Sequence, residues 1–257
     1  GEGVAGSPVI GPVDCPHGGK GMKVGAIADG GGGYILNPDG SSCYGADPAN
    51  GRHIALAADV AASVGKIDLP VLPALGHPAF GNFAGGVSFV SPATGVLRAL
   101  DLAVNEYQGG SQDFIGAWDP ATGQLRPNFP RQMNDLQFLT GPSVADIDGR
   151  PGEELVAGSA SLDLAAYNGL GLPVSDRWPK LTGDWTVANP LIGQWGRGVR
   201  KVVVGLTRDG RLSAYRTSAP ACSPGSWPRF HHDNANSGDY SRDAVAPGAP
   251  TGVRVAD

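Results

Sequence analysis

An all-β fold is what this sequence predicts, on three observations. The 257 residues include 41 glycines and 22 prolines with no collagen-like period, and 41% hydrophobic content still permits a packed core. Short apolar runs alternate with strong turn signals such as Asn37-Pro38-Asp39-Gly40, where proline and glycine favour turn dihedrals. A unit of strand, tight turn, strand and strand also recurs, starting near residues 6, 76, 140 and 187.

The third unit is the clearest copy. In Gly141 to Asn168, the apolar Ser143 to Ala145 run into an acidic turn, Asp146 to Gly152; Leu155 to Gly158 follow as a strand, and another ends at Tyr167. In the first unit, Gly6-Ser7-Pro8-Val9-Ile10-Gly11 opens the pattern, Met22 to Ala28 and Tyr34 to Leu36 read as strands, and Asn37 to Gly40 as a turn. The glycines at 30 to 33 suit a tight turn, because no Gly-Lys-Ser/Thr ending or helix follows to make a phosphate cradle. Residues 53 to 64 are alanine-rich and predict a helical insert. The second unit runs from Gly76 through strands at Val87 to Val90, Val96 to Leu102 and Phe114 to Trp118, with a turn at Ala93 to Gly95 and a polar loop at Asn105 to Asp113. The fourth passes a Gly196-Arg197-Gly198 turn into Arg200 to Leu206, turns at Arg208 to Arg211, and continues through Leu212 to Tyr215.

Repeats of about 40–50 residues with several strands each point to the blades of a β-propeller, here occupying residues 1–240 with 241–257 as a linker and the start of a further β module. Four blades are legible. Either the ring is small, some blades are too degenerate to read, or the chain is the C-terminal part of a larger propeller. The last is favoured, because Gly1 falls just before a first strand and an incomplete propeller leaves edges and an apolar blade face for another polypeptide to cover.

Charge and cysteine content narrow the function classes. A net charge of −5 argues against nucleic acid as partner, and no apolar run is long enough for membrane insertion. The first residues lack the pattern of a signal peptide, so a mature or cleaved chain is expected. Three cysteines allow one disulfide. Cys15 and Cys43 share a unit and are the candidate pair, three free thiols being the alternative, and Cys222 lies in a Pro/Ser-rich loop. His231-His232-Asp233 do not make a zinc or copper site if extended, since neighbouring side chains then face opposite ways. The five tryptophans read as inter-blade packing, with sugar or peptide stacking as the sharper alternative. No nucleophile, base or paired-carboxylate arrangement can be assembled from spacing, so no catalytic residue is named.

The units resemble FG-GAP (VCBS) β-propeller repeats. The closest match is Val144-Ala145-Asp146-Ile147-Asp148-Gly149 with Glu154-Leu155-Val156-Ala157-Gly158; Ile192 to Gly205 is recognisable, and Trp227 to Tyr240 looks like the segment that follows the last blade in exported propellers. Pro247 to Val255 resembles the first strand of a fibronectin type III module. The resemblance implies a secreted or cell-surface, non-catalytic binding or assembly module that recognises protein or glycan through its loops. The alternative is the propeller portion of a larger secreted protease or polysaccharide-acting enzyme. It further implies a calcium loop at Asp146, Asp148 and Glu154, from which the chain departs at Arg150, where a cation replaces a carboxylate, and at Pro151; the alternative, which these departures favour, is a metal-free structural turn with Arg150 paired to a neighbouring carboxylate.

Overall fold

A computed structural model describes residue 4 and residues 6–28, 32–57, 76–83, 85–94, 113–134, 137, 140–175 and 177–242. The described residues form fifteen strands and no helix, arranged as four antiparallel sheets that follow one another along the chain. The first contains β1 (Val9–Val13), β2 (Gly21–Ile27) and β3 (Gly33–Leu36) in that order. In the second, β4 (Ala79–Phe83), β5 (Gly86–Thr94) and β6 (Asp113–Asp119) are followed by β7 (Gln124–Leu125) and β8 (Arg131–Met133), which share the far edge of β6. The third is a meander of β9 (Ser143–Ala145), β10 (Glu154–Gly158), β11 (Asp163–Tyr167) and β12 (Lys180–Leu181). The fourth comprises β13 (Leu191–Gln194), β14 (Arg200–Leu206) and β15 (Leu212–Pro220).

Each sheet begins where a repeat begins in the sequence. The first strands lie side by side, β1 against β4, β4 against β9 and β9 against β13. At their entrances the backbones approach so closely that only glycine fits. A Cβ on Gly6 would come within 2.1 Å of the Gly76 carbonyl oxygen, and one on Gly76 within 2.2 Å of that of Thr140. The same entrances are tied by hydrogen bonds: Ser7 N–H donates to His77 Nδ1 (3.0 Å), His77 N–H to the Thr140 carbonyl (3.0 Å), and Ser143 Oγ to the Pro190 carbonyl (2.5 Å).

Strand periodicity divides the core in two. Val144, Leu155 and Ala157 join Phe80, Phe83, Phe89, Ile115 and Trp118 in one cluster, whereas Ala145, Val156, Leu164 and Ala166 join Ile192 and Val203 in another. Alternate residues of the third sheet therefore face opposite neighbours. This explains why β10 is buried throughout and reads as a continuous apolar run.

The segment after β15 crosses the first strands. Trp227 exchanges two backbone hydrogen bonds with Val144 (2.8 and 2.9 Å), Asp146 N–H donates to the Pro224 carbonyl, Ile192 N–H to that of Pro228, and Asn82 N–H to Ser226 Oγ. Farther on, Ile10 N–H donates to Gly238 and Tyr240 N–H to Ile10. All four first strands thus find backbone or side-chain partners in this one segment.

Two sequence expectations change. Residues 53–57 are not helical: His53 bridges Ala46, and Leu56 and Ala57 donate to the carbonyls of Gly33 and Gly123. Cross-strand partners override a helical propensity that alanine confers only weakly. The rest of the expected helix, the 96–102 strand, most of the 105–113 loop and the segment 243–257 lie outside the described residues. Of the turn expected at 93–95, Ala93 and Thr94 belong instead to β5, paired with β6, and Gly95 lies outside the described residues. Cys15 and Cys43 form a disulfide with a Cα separation of 5.5 Å, while Cys222 is free and exposed. Closing a loop over a sequence separation of 28 stabilises the first sheet by roughly 3–4 kcal/mol through the unfolded chain.

Candidate functional site

The acidic turn between β9 and β10 brings Asp146, Asp148 and Glu154 together, with one oxygen from each within 4.8 Å of the others. Backbone amides fix them. Gly149 N–H donates to Asp146 Oδ1 (2.7 Å), Arg150 N–H to Asp148 Oδ1 (2.8 Å), and Ile147 N–H to Glu154 Oε2 (2.8 Å). Gly149 permits the fold-back, at a φ of 79°.

Two cations flank this turn. Arg150 pairs with the neighbouring carboxylate of Asp148 (3.9 Å), as expected from the sequence, while its side chain stays 80% exposed. The buried cation is Lys201, reaching from β14 to donate to the Pro224 carbonyl. Burial lowers its pKa, while Asp146, Glu153 and Glu154 pull it the other way. Burial pushes the Glu154 carboxyl up to about 7, against the hydrogen bond from Ile147 N–H, and Asp148 and Asp146 add to the rise. Glu153 is likewise pushed to about 7 by burial, opposed by its hydrogen bond from Ser226 Oγ. Glu153 and Glu154, raised to about 7, are only partly ionised at neutral pH, and Lys201 and Arg150 stand beside the acids. What the turn offers a divalent cation is three carboxyl groups whose oxygens converge, the hard donor type that calcium takes.

A second site lies at the seam between the second and third sheets. Gln132 and Met133 on β8, with Asn134 just after it, line a cavity of about 210 Å³ together with Asp163 and Tyr167 on β11 and the turn bearing Pro173, Trp178 and Pro179. Tyr167 and Trp178 supply aromatic surface. The buried Asp163 supplies the acceptor: its Oδ2 receives Asn134 Nδ2 (2.7 Å) and its Oδ1 receives Ser161 Oγ (2.8 Å). Tyr167 Oη donates to the Gln132 carbonyl (3.2 Å), Arg131 lies 5.6 Å from the Tyr167 ring, and Lys180 lies 5.5 Å from that of Trp178. These residues come from two repeats, so their spacing carried no signal. The one sequence cue was the aromatic at each strand end.

The tryptophans divide by environment. Trp118 and Trp227 are core, and the Trp118 indole N–H donates to the Ala57 carbonyl (2.7 Å), whereas Trp185 and Trp195 are exposed. His231 and His232 lie in a turn rather than a strand, both with positive φ, 49° and 74°, so the alternation argued for an extended segment does not apply to them. His231 stacks on Phe230 and His232 packs edge-on against Trp227.

No protein-family model matches the sequence, and a search of characterised proteins finds no match. Chemistry at these sites therefore carries the functional argument.

Proposed function

We propose that the protein is an FG-GAP-like β-propeller, or the C-terminal part of one, acting outside the cell as a binding and assembly module whose ligand is a glycan seated in the seam cavity. The observation that carries the reading is the pairing of Tyr167 and Trp178 with Asn134 and Asp163 around one opening. Sugar rings have apolar C–H faces that pack on aromatic surface and hydroxyls that need fixed acceptors and donors. The side-by-side first strands support the propeller assignment, and the disulfide together with the lack of a described helix able to cross a membrane is compatible with export.

Calcium at Asp146, Asp148 and Glu154 is proposed as a structural ion that neutralises the turn and braces β9 against β10. An assembly role rests on the outer face of the first sheet, where Ile10 and Met22 remain exposed beside Val24 and Leu36, as a further sheet would require.

A glycan array followed by calorimetry tests the ligand. Trp178→Ala should weaken the best neutral saccharide roughly tenfold or more without changing the melting temperature by more than a few degrees, since Trp178 is half-exposed. Binding that survives this substitution together with Asp163→Asn would remove the seam from consideration.

A further inference from the structure

We propose that the outer face of the fourth sheet is a second binding groove, distinct from the seam, and that its ligand is an acidic polysaccharide bearing carboxylate or sulfate groups. The whole chain carries a net charge of −5, yet residues 191–220 hold Arg197, Arg200, Lys201, Arg208, Arg211 and Arg216 against the single acid Asp209, a net of +5. Three of these arginines converge. In-register pairing of Val202 with Arg216 and Val204 with Ala214 places alternate residues of β14 and β15 on one face, and Arg197, Arg200 and Arg216 line an open groove of about 550 Å³ together with Trp195, Val199 and Val202.

The groove is built rather than incidental. The turn that presents Trp195 and Arg197 is closed by Gly198 N–H donating to the Trp195 carbonyl (3.1 Å) and by Gln194 Nε2 donating to that of Gly198 (3.0 Å). Arg200 is anchored to the Ser218 carbonyl. None of the three guanidinium groups is ion-paired with a described carboxylate, and no acid lines the groove. Trp195 stays 56% exposed and Val199 80% exposed.

Unpaired guanidinium forks match carboxylates and sulfates bidentately, and a wall of several arginines suits a ligand that repeats its charge. The exposed indole adds a stacking surface for the ring between charges. An open trough admits a polymer end to end, which favours a polysaccharide over a compact anion.

The test is affinity electrophoresis and calorimetry of the whole chain against heparin as a sulfated arm, polygalacturonate as a carboxylated arm, neutral dextran, and single-stranded DNA. The expected result is binding to at least one acidic polysaccharide that weakens steeply with salt. Arg197→Glu with Arg216→Glu should reduce it about a hundredfold, roughly tenfold per lost charged contact. Arg197→Lys, which keeps the charge but not the fork, should fall between. Equal binding to dextran, tighter binding to DNA, or affinity untouched by the double reversal in a protein with unchanged near-ultraviolet circular dichroism would each overturn the proposal. Because Trp178→Ala must leave this binding intact, failure of the groove and failure of the seam are read separately.

Discussion

At the scale of single residues, the entrances to the four repeats show how chemistry is dictated by a neighbour. His77 accepts the Ser7 N–H at Nδ1, which requires that nitrogen to be unprotonated. Burial lowers its pKa, and His231 beside it adds to the effect. His232 is lowered too, burial outweighing the pull of Asp233. At these two histidines the folded state binds fewer protons than the unfolded chain once the pH drops below the ordinary histidine value, so their contribution to stability is present above about 6.5 and is lost as the pH falls. Glu153 and Glu154, raised to about 7, act in the opposite sense over the same range, so the histidine contribution is read as a difference between variants. In thermal melts between pH 7.5 and 5, His77→Gln, which cannot titrate, should gain stability relative to the unsubstituted protein as the pH falls, by at most about 1.4 kcal/mol per pH unit; parallel profiles for the two proteins would assign the proton uptake elsewhere.

At the scale of elements, the turn joining β9 to β10 is preorganised by its own amides. An ion that binds the native state raises stability by mass action, by about 2.7 kcal/mol when present at a hundred times its dissociation constant. Differential scanning fluorimetry should therefore show a higher melting temperature with calcium than with EGTA, and Asp146→Asn should abolish the difference. Identical melts in the two conditions would remove calcium from the turn. Most elements were readable in the sequence, because glycine and proline mark turns at Asn37 to Gly40, Asp119 to Gly123 and Arg208 to Arg211, and the strands between them appear where expected. Residues 53–57 were misread since alanine content speaks of helix while Gly33 and Gly123, which hold Leu56 and Ala57 extended, are distant in sequence.

At the scale of the molecule, the segment from Pro224 to Tyr240 draws the four sheets into one cooperative unit. Trp227 is its anchor, 1% exposed, bonded through its backbone to Val144 and packed against His232. Trp227→Ala should cost about 3–5 kcal/mol, the range for emptying a large aromatic site. Because the segment touches every first strand, chemical denaturation should shift as a single transition. Separate loss of the fourth sheet would show that the segment does not couple them.

The sequence by itself determined the all-β class, the places where the four sheets begin and the acidic turn, and it narrowed the cysteines to a candidate pair, because each is written in local composition or in a spacing within one unit. Only the tertiary structure decided the rest. Lys201, carried on β14, joins Arg150 as a second cation beside the acids. The seam cavity joins Asn134 to Asp163 across two sheets. The arginine groove emerges because antiparallel register puts Arg200 and Arg216 on one face, while averaging over the whole chain hides five positive charges beneath a net of −5. Binding surfaces here form between residues that the chain keeps far apart, and distance along a sequence carries no record of proximity in space.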